Sequence, residues 1–230
     1  MNKEPINIVW FKRDLRFTDH EPLFFAQQQA LPILLLYCFE PSVMAYDDSD
    51  VRHWRFIYES LEEMQSKLKN LNAQLYMCHN EALAVFDNIS KHYEINTIYS
   101  HQEIGNKLTF DRDIEMQKFC KRNQISWKEY QMHGVIRKLK SRSNWEELWR
   151  QKMTEFPKLV SEDNWNILHL NESLFNTIKG SPLQTEITSR NKNFQQGGEY
   201  WAWRYMDSFI KERYVNYSKH ISKPLLSRKG

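Results

Sequence analysis

The sequence predicts an α/β fold: a five-stranded parallel sheet in the order 3-2-1-4-5, Rossmann-like, with helices on both faces. After it come a connector and the start of a helical domain. Three observations predict this. Short apolar runs alternate with helix-period segments from residue 6 to 130, the pattern of βαβ units. The runs Ile6–Phe11, interrupted only by Asn7, and Leu31–Phe39 are near-continuously hydrophobic, as strands covered on both faces are. The first run empties directly into Lys12-Arg13-Asp14-Leu15-Arg16, with no turn residue between. Open α/β sheets place ligands beyond such carboxyl ends.

The elements follow in order. Residues 6–11 form the first strand. Asp19 is the expected N-cap of a short helix, with Pro22 in its first turn, running to about Gln29. The second strand stops at Glu40-Pro41, because proline cannot continue a ladder. From Val51 to Leu71, Trp54, Ile57, Tyr58, Leu61, Met64, Leu68 and Leu71 recur at three- and four-residue spacing, a helix with Glu59, Glu62, Glu63, Lys67 and Lys69 on its other face. Ala73–Cys78 reads as the third strand. Glu81–His92 reads as a helix with Leu83, Phe86 and Ile89 inward. Ile95–Ser100 is the fourth strand. Thr109 is the expected cap of a helix to about Arg122, with Asp111 and Asp113 in its first turn where the helix dipole favours them. Ile125–Tyr130 is the fifth strand. Crossovers should be right-handed. In the order 3-2-1-4-5 the winding reverses between the first and fourth strands, so Lys12–Arg16 and Ser100–Asn106 flank the switch-point crevice.

Three divisions of the chain are expected: residues 1–133, the α/β domain; 134–195, a connector; and 196–230, the first helix of another domain. Residues 154–196 lack strong periodicity, and so long a stretch usually marks an ordered connector or a functional segment. Periodicity returns after Gly197-Gly198-Glu199, where Ala202, Tyr205, Met206, Phe209 and Ile210 form a stripe on a helix ending near Tyr217. Were its packing partner missing, this stripe would be exposed and drive association.

Composition narrows the class. With 8 Trp, 11 Tyr and 13 Phe, the chain has ample core material and aromatics suited to flat ligands. Six glycines leave no long flexible linker. A net charge of +3 is compatible with nucleic-acid contact without arguing for it. Cys38, Cys78 and Cys120 are widely spaced with no C-x-x-C pair, so they read as reduced core residues rather than a zinc site or disulfide framework. No apolar run approaches the ~20 residues of a membrane span, and no signal-peptide core precedes the first strand. The expected compartment is the cytoplasm.

Four motifs carry candidate chemistry, each with a plainer alternative. Lys12-Arg13-Asp14-Leu15-Arg16 offers three cations to an anionic or heteroaromatic ligand; alternatively Asp14 pairs with Arg13 or Arg16 to hold the loop. No G-x-G-x-x-G follows the first strand, which disfavours a dinucleotide. In His101-Gln102-Glu103-Ile104-Gly105-Asn106-Lys107, Glu103 and Asn106 could hydrogen-bond the edge of a pterin- or flavin-like ring, or simply shape a strand-to-helix loop. Arg52 could reach the crevice from the head of its helix, or stay solvated. Arg137, Lys138, Lys140, Trp145, Trp149 and Arg150 could track a phosphate backbone, or belong to an amphipathic helix packed on a neighbour. No Ser/His/Asp set, H-E-x-x-H or P-loop is present.

Several segments resemble photolyases and cryptochromes: Val9-Trp10-Phe11-Lys12-Arg13-Asp14-Leu15-Arg16, then Ser100 through Asp113, then Asn193 to Lys229 with Asn-Phe-Gln-Gln-Gly-Gly-Glu. Gly134-Val135-Ile136-Arg137 also fits the pattern. The resemblance implies an N-terminal α/β domain holding an antenna chromophore: methenyltetrahydrofolate, 8-hydroxy-5-deazaflavin or FMN. The crevice motifs give Lys12, Arg13, Arg52, Glu103, Asn106 and Lys107 as cofactor-binding candidates, and the resemblance adds Tyr217 as an early flavin contact, with Tyr214 weaker. In photolyases, FAD in a helical domain repairs pyrimidine dimers in UV-damaged DNA; cryptochromes use related photochemistry for light sensing. That helical domain needs a couple of hundred further residues, so the expectation is a truncated chain, inactive in repair alone, with no catalytic residue of its own. The partners implied are the helical FAD domain and UV-damaged DNA, with no membrane. The alternative is a cryptochrome-type sensor or a stand-alone chromophore-binding module.

Overall fold

The computed structural model describes residues 3–161 and 165–223. Its centre is a five-stranded, all-parallel sheet: β1 (Glu4–Phe11), β2 (Ile33–Cys38), β3 (Leu75–Cys78), β4 (Tyr93–His101) and β5 (Ser126–Tyr130). The order is β3-β2-β1-β4-β5, as the alternation of elements predicts. Val9 in β1 is aligned with Leu35 in β2 on one side and Tyr99 in β4 on the other.

Alternation along β1 feeds two cores. Ile6, Ile8 and Trp10 face one side, packing with Val85, Phe86 and Ile89 of α4 (Ala82–His92) and with Met116 and Phe119 of α5 (Lys107–Arg122). Val9 and Phe11 face the other, packing with Leu23 and Ala26 of α1 (Glu21–Gln27) and with Leu61, Met64 and Leu68 of α3 (Val51–Lys69). A short α2 (Pro41–Met44) follows β2, with proline in its first turn. Cys38, Cys78 and Cys120 are all buried free thiols.

Two helix starts differ from the sequence reading. Asp19 does not cap α1: its backbone is left-handed (φ 49°) and its carboxylate accepts the Lys158 N–H at 2.8 Å. His20 takes the role, its Nδ1 accepting the Leu23 N–H. Thr109 does not cap α5 either. Asn106 does, accepting the Thr109 N–H at 3.1 Å. The helix therefore starts earlier, Asp111 and Asp113 fall beyond its first turn, and Asp113 points inward.

Past the sheet, residues 134–195 carry α6 (Trp145–Met153), α7 (Glu172–Ile178) and α8 (Thr185–Thr188). α6 is a helix of the kind allowed for the basic, Trp-bearing segment, whereas α7 and α8 fall in the stretch whose weak periodicity did not announce them. The segment is ordered by strand-like contacts with the sheet: Ile33 bridges Ile167, and His79 bridges Gly180. Leu168, Leu170, Leu174, Ile178 and Ile187 are buried by it.

α9 (Glu199–Lys211) begins at the double glycine but ends well before Tyr217. Glu212 leaves helical geometry (φ −129°), and the Arg213 guanidinium takes over the helix end, donating to the Tyr205 carbonyl at 2.7 Å. A 3₁₀ turn (Arg213–Asn216) and α10 (Tyr217–His220) follow. Tyr205, Met206 and Ile210 of the expected stripe are exposed, at 39%, 44% and 58%.

Candidate functional site

The crevice lies at the carboxyl ends of β1, β2 and β4. Asp14, fully buried, ties its walls together. Its Oδ1 accepts the Lys12 N–H at 2.9 Å, turning the chain as it leaves β1. Its Oδ2 accepts from His20 Nε2 and His101 Nδ1, each at 2.5 Å. The expected pairing of Asp14 with Arg13 or Arg16 does not form. The two imidazoles reach the carboxylate from inside the domain, whereas Arg16 bonds the carbonyls of Thr18 and Asp19 at 2.9 and 3.1 Å. Burial alone would raise the Asp14 pKa, but the two histidines hold it well below the ordinary value. Burial lowers the pKa of His20 despite Asp14 beside it.

Asp14, His20 and His101 have the spacing of a metal-binding trio, but the protons disagree. His20 Nδ1 already accepts a backbone N–H, so the ring proton sits on Nε2 and points at Asp14. A cation there would need the Nε2 lone pair, which this tautomer lacks. The trio is a hydrogen-bonded tie.

Under the crevice, three cations meet three carboxylates. Lys12 bonds Asp113 at 2.9 Å, with its ammonium 4.6 Å from the centre of the Trp10 ring. Arg112 pairs with Glu40, with Glu103 at 2.8 Å and with Asp113 at 3.0 Å, while its guanidinium also covers Trp10 at 4.9 Å. Arg13 reaches Glu103 at 3.1 Å. Burial lowers the pKa of Lys12, only partly offset by Asp113. Burial pushes Glu40 up against the pull of Arg112. For Glu103, burial would raise the pKa, but Arg112, Lys12 and Arg13 together hold it below the ordinary value.

Glu103 spends its acceptors locally. Its Oε1 takes the Ile104 and Gly105 N–H groups at 3.0 and 2.7 Å, as well as Arg13. Gly105 suits this turn, since a Cβ would come 2.6 Å from the Oγ1 of buried Thr109 and 2.8 Å from Glu103 Oε1.

Above this floor is a cavity of about 450 Å³. Tyr37, Val43, Trp54, Phe56 and Ile57 form its apolar walls, and Gly198, Glu199 and Ala202 close one side. Of the sequence candidates, Lys12, Arg13 and Glu103 line it together. The others are placed elsewhere. Arg52 is exposed on the first turn of α3, 3.7 Å from Asp50. Asn106 is occupied as a helix cap and reaches Asp48 at 3.4 Å. Lys107 is exposed and pairs with Asp111. Tyr217 is exposed on the far arm, edge-on to Phe209.

Sequence reasoning missed Arg112, Glu40 and Asp113, which complete the floor. A signal existed: Asp111-Arg112-Asp113 sits one and a half turns into a helix whose cap lies three residues earlier than Thr109. Correct capping would have aimed Arg112 and Asp113 at the sheet edge. The basic, Trp-bearing segment is quieter than its composition: Arg137 pairs with Glu129, Arg150 with Glu146, and Lys152 with Glu21.

The profile of the DNA photolyase family matches residues 7–145 of the chain. The chain belongs to that family. Among curated relatives, cryptochrome DASH of Synechocystis sp. is 30% identical over 119 residues, covering 49% of this chain and 24% of that protein. Blue-light photoreceptor PHR2 of Arabidopsis thaliana is 28% identical over 103 residues, covering 43% and 23%. This DNA photolyase family chain therefore aligns with about a quarter of the length of these relatives. Among solved structures, a Synechocystis sp. cryptochrome superposes with a TM-score of 0.68 at 21% identity, over 95% of this chain and 49% of that one. A class III photolyase from Agrobacterium tumefaciens gives 0.63 at 17% identity, over 95% and 47%. At that identity the likeness establishes the fold: the α/β domain with which photolyase-family chains begin. Among the described residues no helix is long and apolar enough to cross a membrane.

Proposed function

We propose that this chain holds an antenna chromophore in the crevice and, joined to a helical FAD domain, serves the repair of pyrimidine dimers in UV-damaged DNA. The observation that carries the reading is the cavity itself. Its volume of about 450 Å³ is within the usual range for small-molecule sites, with apolar aromatic walls over a few fixed polar groups. The candidate contacts are Lys12, Arg13 and Glu103. Arg52, Asn106, Lys107 and Tyr217 would need contacts from outside this cavity.

The floor also bears on which of the three chromophore classes fits. Three cations are already matched by three carboxylates. Among the described residues, the buried cations Lys12 and Arg112 are already paired, and half-buried Arg16 on the cavity wall is held by the Thr18 and Asp19 carbonyls. A phosphate would find there no buried cation free of a carboxylate, and desolvating it would be unfavourable. A planar ring without phosphate at its buried end, such as 8-hydroxy-5-deazaflavin or a pterin, therefore suits the cavity better than FMN entering phosphate-first. When bound, such a ring supplies light absorption. The protein's part is to exclude water with Trp54 and Phe56, and to fix the ring edge against Arg13 and Tyr37.

A second reading, light sensing of the cryptochrome type, is favoured by the relatives named cryptochrome DASH and blue-light photoreceptor. Both readings place the chromophore in the same crevice, and repair of a dimer-containing oligonucleotide by the chain joined to a flavin domain separates them. The absorption spectrum of the purified protein tests the shared part. A near-ultraviolet or blue band that survives gel filtration is expected. A spectrum of aromatic residues alone, unchanged after incubation with deazaflavin, folate and flavin, would sink the reading.

A further inference from the structure

α9 does two things at once. Its first turn closes the crevice, where Gly198, Glu199 and Ala202 form one wall. Beyond that turn the helix has no buried residue, and it carries Trp203, Tyr205, Met206 and Ile210 outward. Its attachment to the domain is a compact polar joint with α3. Glu59 accepts the Gly197 N–H at 2.8 Å, and Glu63 accepts the Tyr200 N–H at 3.0 Å. Lys67 bridges Glu63 at 3.2 Å and Glu199 at 3.0 Å.

The joint is shaped for close approach. Gly198 adopts φ 113°, a conformation that disfavours side chains, and a Cβ there would come 2.1 Å from Glu63 Oε2. Glu199, only 10% exposed, also contacts the loop after β1. Burial alone would raise its pKa, but Thr18 and Lys67 hold it below the ordinary value. One carboxylate thus ties α9 to α3, to the β1 loop and to the cavity rim.

We propose that this joint is a latch: a ligand seated in the crevice and the docked position of α9 stabilise each other, with Glu199 and Lys67 as the positioning residues. The inference rests on the crevice being a ligand site, and it adds a regulatory consequence. A ligand that touches the wall only when α9 is docked must bind the docked state more tightly, and by linkage it shifts the helix toward that state. The outward apolar face rides on the same rigid helix. Occupancy of the crevice would therefore be felt by whatever packs on that face.

The test is hydrogen exchange over residues 197–211 of the full chain, with and without saturating 8-hydroxy-5-deazariboflavin, alongside titration of that probe into Glu199→Gln, Lys67→Ala and Lys211→Ala. Lys211 pairs with Asp207 at the far end of α9 and serves as the control. Exchange over 197–211 should slow several-fold on binding. Glu199→Gln and Lys67→Ala should weaken binding about fivefold or more, and Lys211→Ala should bind as the unaltered chain does. Tight probe binding with unchanged exchange, and with all three variants binding alike, would overturn the latch while leaving the ligand site standing. Failure of the unaltered chain to bind the probe would overturn both.

Discussion

Trp10 and Trp203 belong to the same chain and meet opposite surroundings. Trp10 is 1% exposed, edge-on to Phe86 with ring centres 5.2 Å apart, under the Lys12 and Arg112 cations. Trp203 stands 55% exposed on α9. The sheet edge is complete in itself: aromatic surface is covered, and each buried cation has its carboxylate. The α9 arm is polar where it joins α3 and apolar where it faces away. Aromatic content alone therefore says little about where a core is. What separates the regions is whether charge and surface are answered within the fold.

The sharpest way to break that contrast is at the aromatics. Phe86→Ala should destabilise the chain by about 3–5 kcal/mol in urea unfolding, the range for a large-to-small change in a packed core. Trp203→Ala should stay within about 0.5 kcal/mol, as for exposed positions. Similar losses at both would mean that the arm is packed within the fold after all.

The Asp14 tie comes next. Asp14→Asn removes the charge that two buried imidazoles share and can accept properly from only one of them. A loss of about 3 kcal/mol is expected, at the lower end for breaking a buried polar network. A change below about 1 kcal/mol would show that the loops hold without it.

Acid should then separate the two regions. Burial depresses His20 in the folded state from its ordinary value of 6.5. Above pH 6.5 its contribution is intact. Below that the unfolded chain takes the proton first, so stability falls by up to about 1.4 kcal/mol per pH unit toward the folded pKa. Asp14, held well below its ordinary 3.8, adds a second loss below about pH 4. His20→Asn should flatten the first decline, and an unaltered profile between pH 5 and 6.5 would contradict this assignment. The smallest effect is expected at the surface pair Lys107–Asp111: Lys107→Ala should change stability by less than about 0.5 kcal/mol.

The sheet was legible because its physics is local. Runs such as Ile33–Cys38 admit few other readings, and alternation with helices sets the topology. The crevice was legible only in outline. Lys12, Arg13 and Glu103 stand next to strand ends, so strand order finds them. Their partners do not: Arg112 and Asp113 depend on the phase of α5, which a three-residue shift of its cap alters, and Glu40 looked like a mere strand terminator. The Asp14 tie was missed because an arginine two residues away in sequence is a more obvious partner than a histidine 87 residues away. α7 and α8 were illegible because each is too short to show a period.

The crevice above Trp10 is proposed to bind a flat heteroaromatic ring. The most direct test is titration of 8-hydroxy-5-deazariboflavin into the unaltered chain and into Val43→Trp, which fills the cavity from a half-buried wall position. Saturable binding to the unaltered chain, weakened at least tenfold in Val43→Trp with an unchanged melting temperature, is the predicted result. Equal binding by both proteins would place the ring elsewhere and contradict the account.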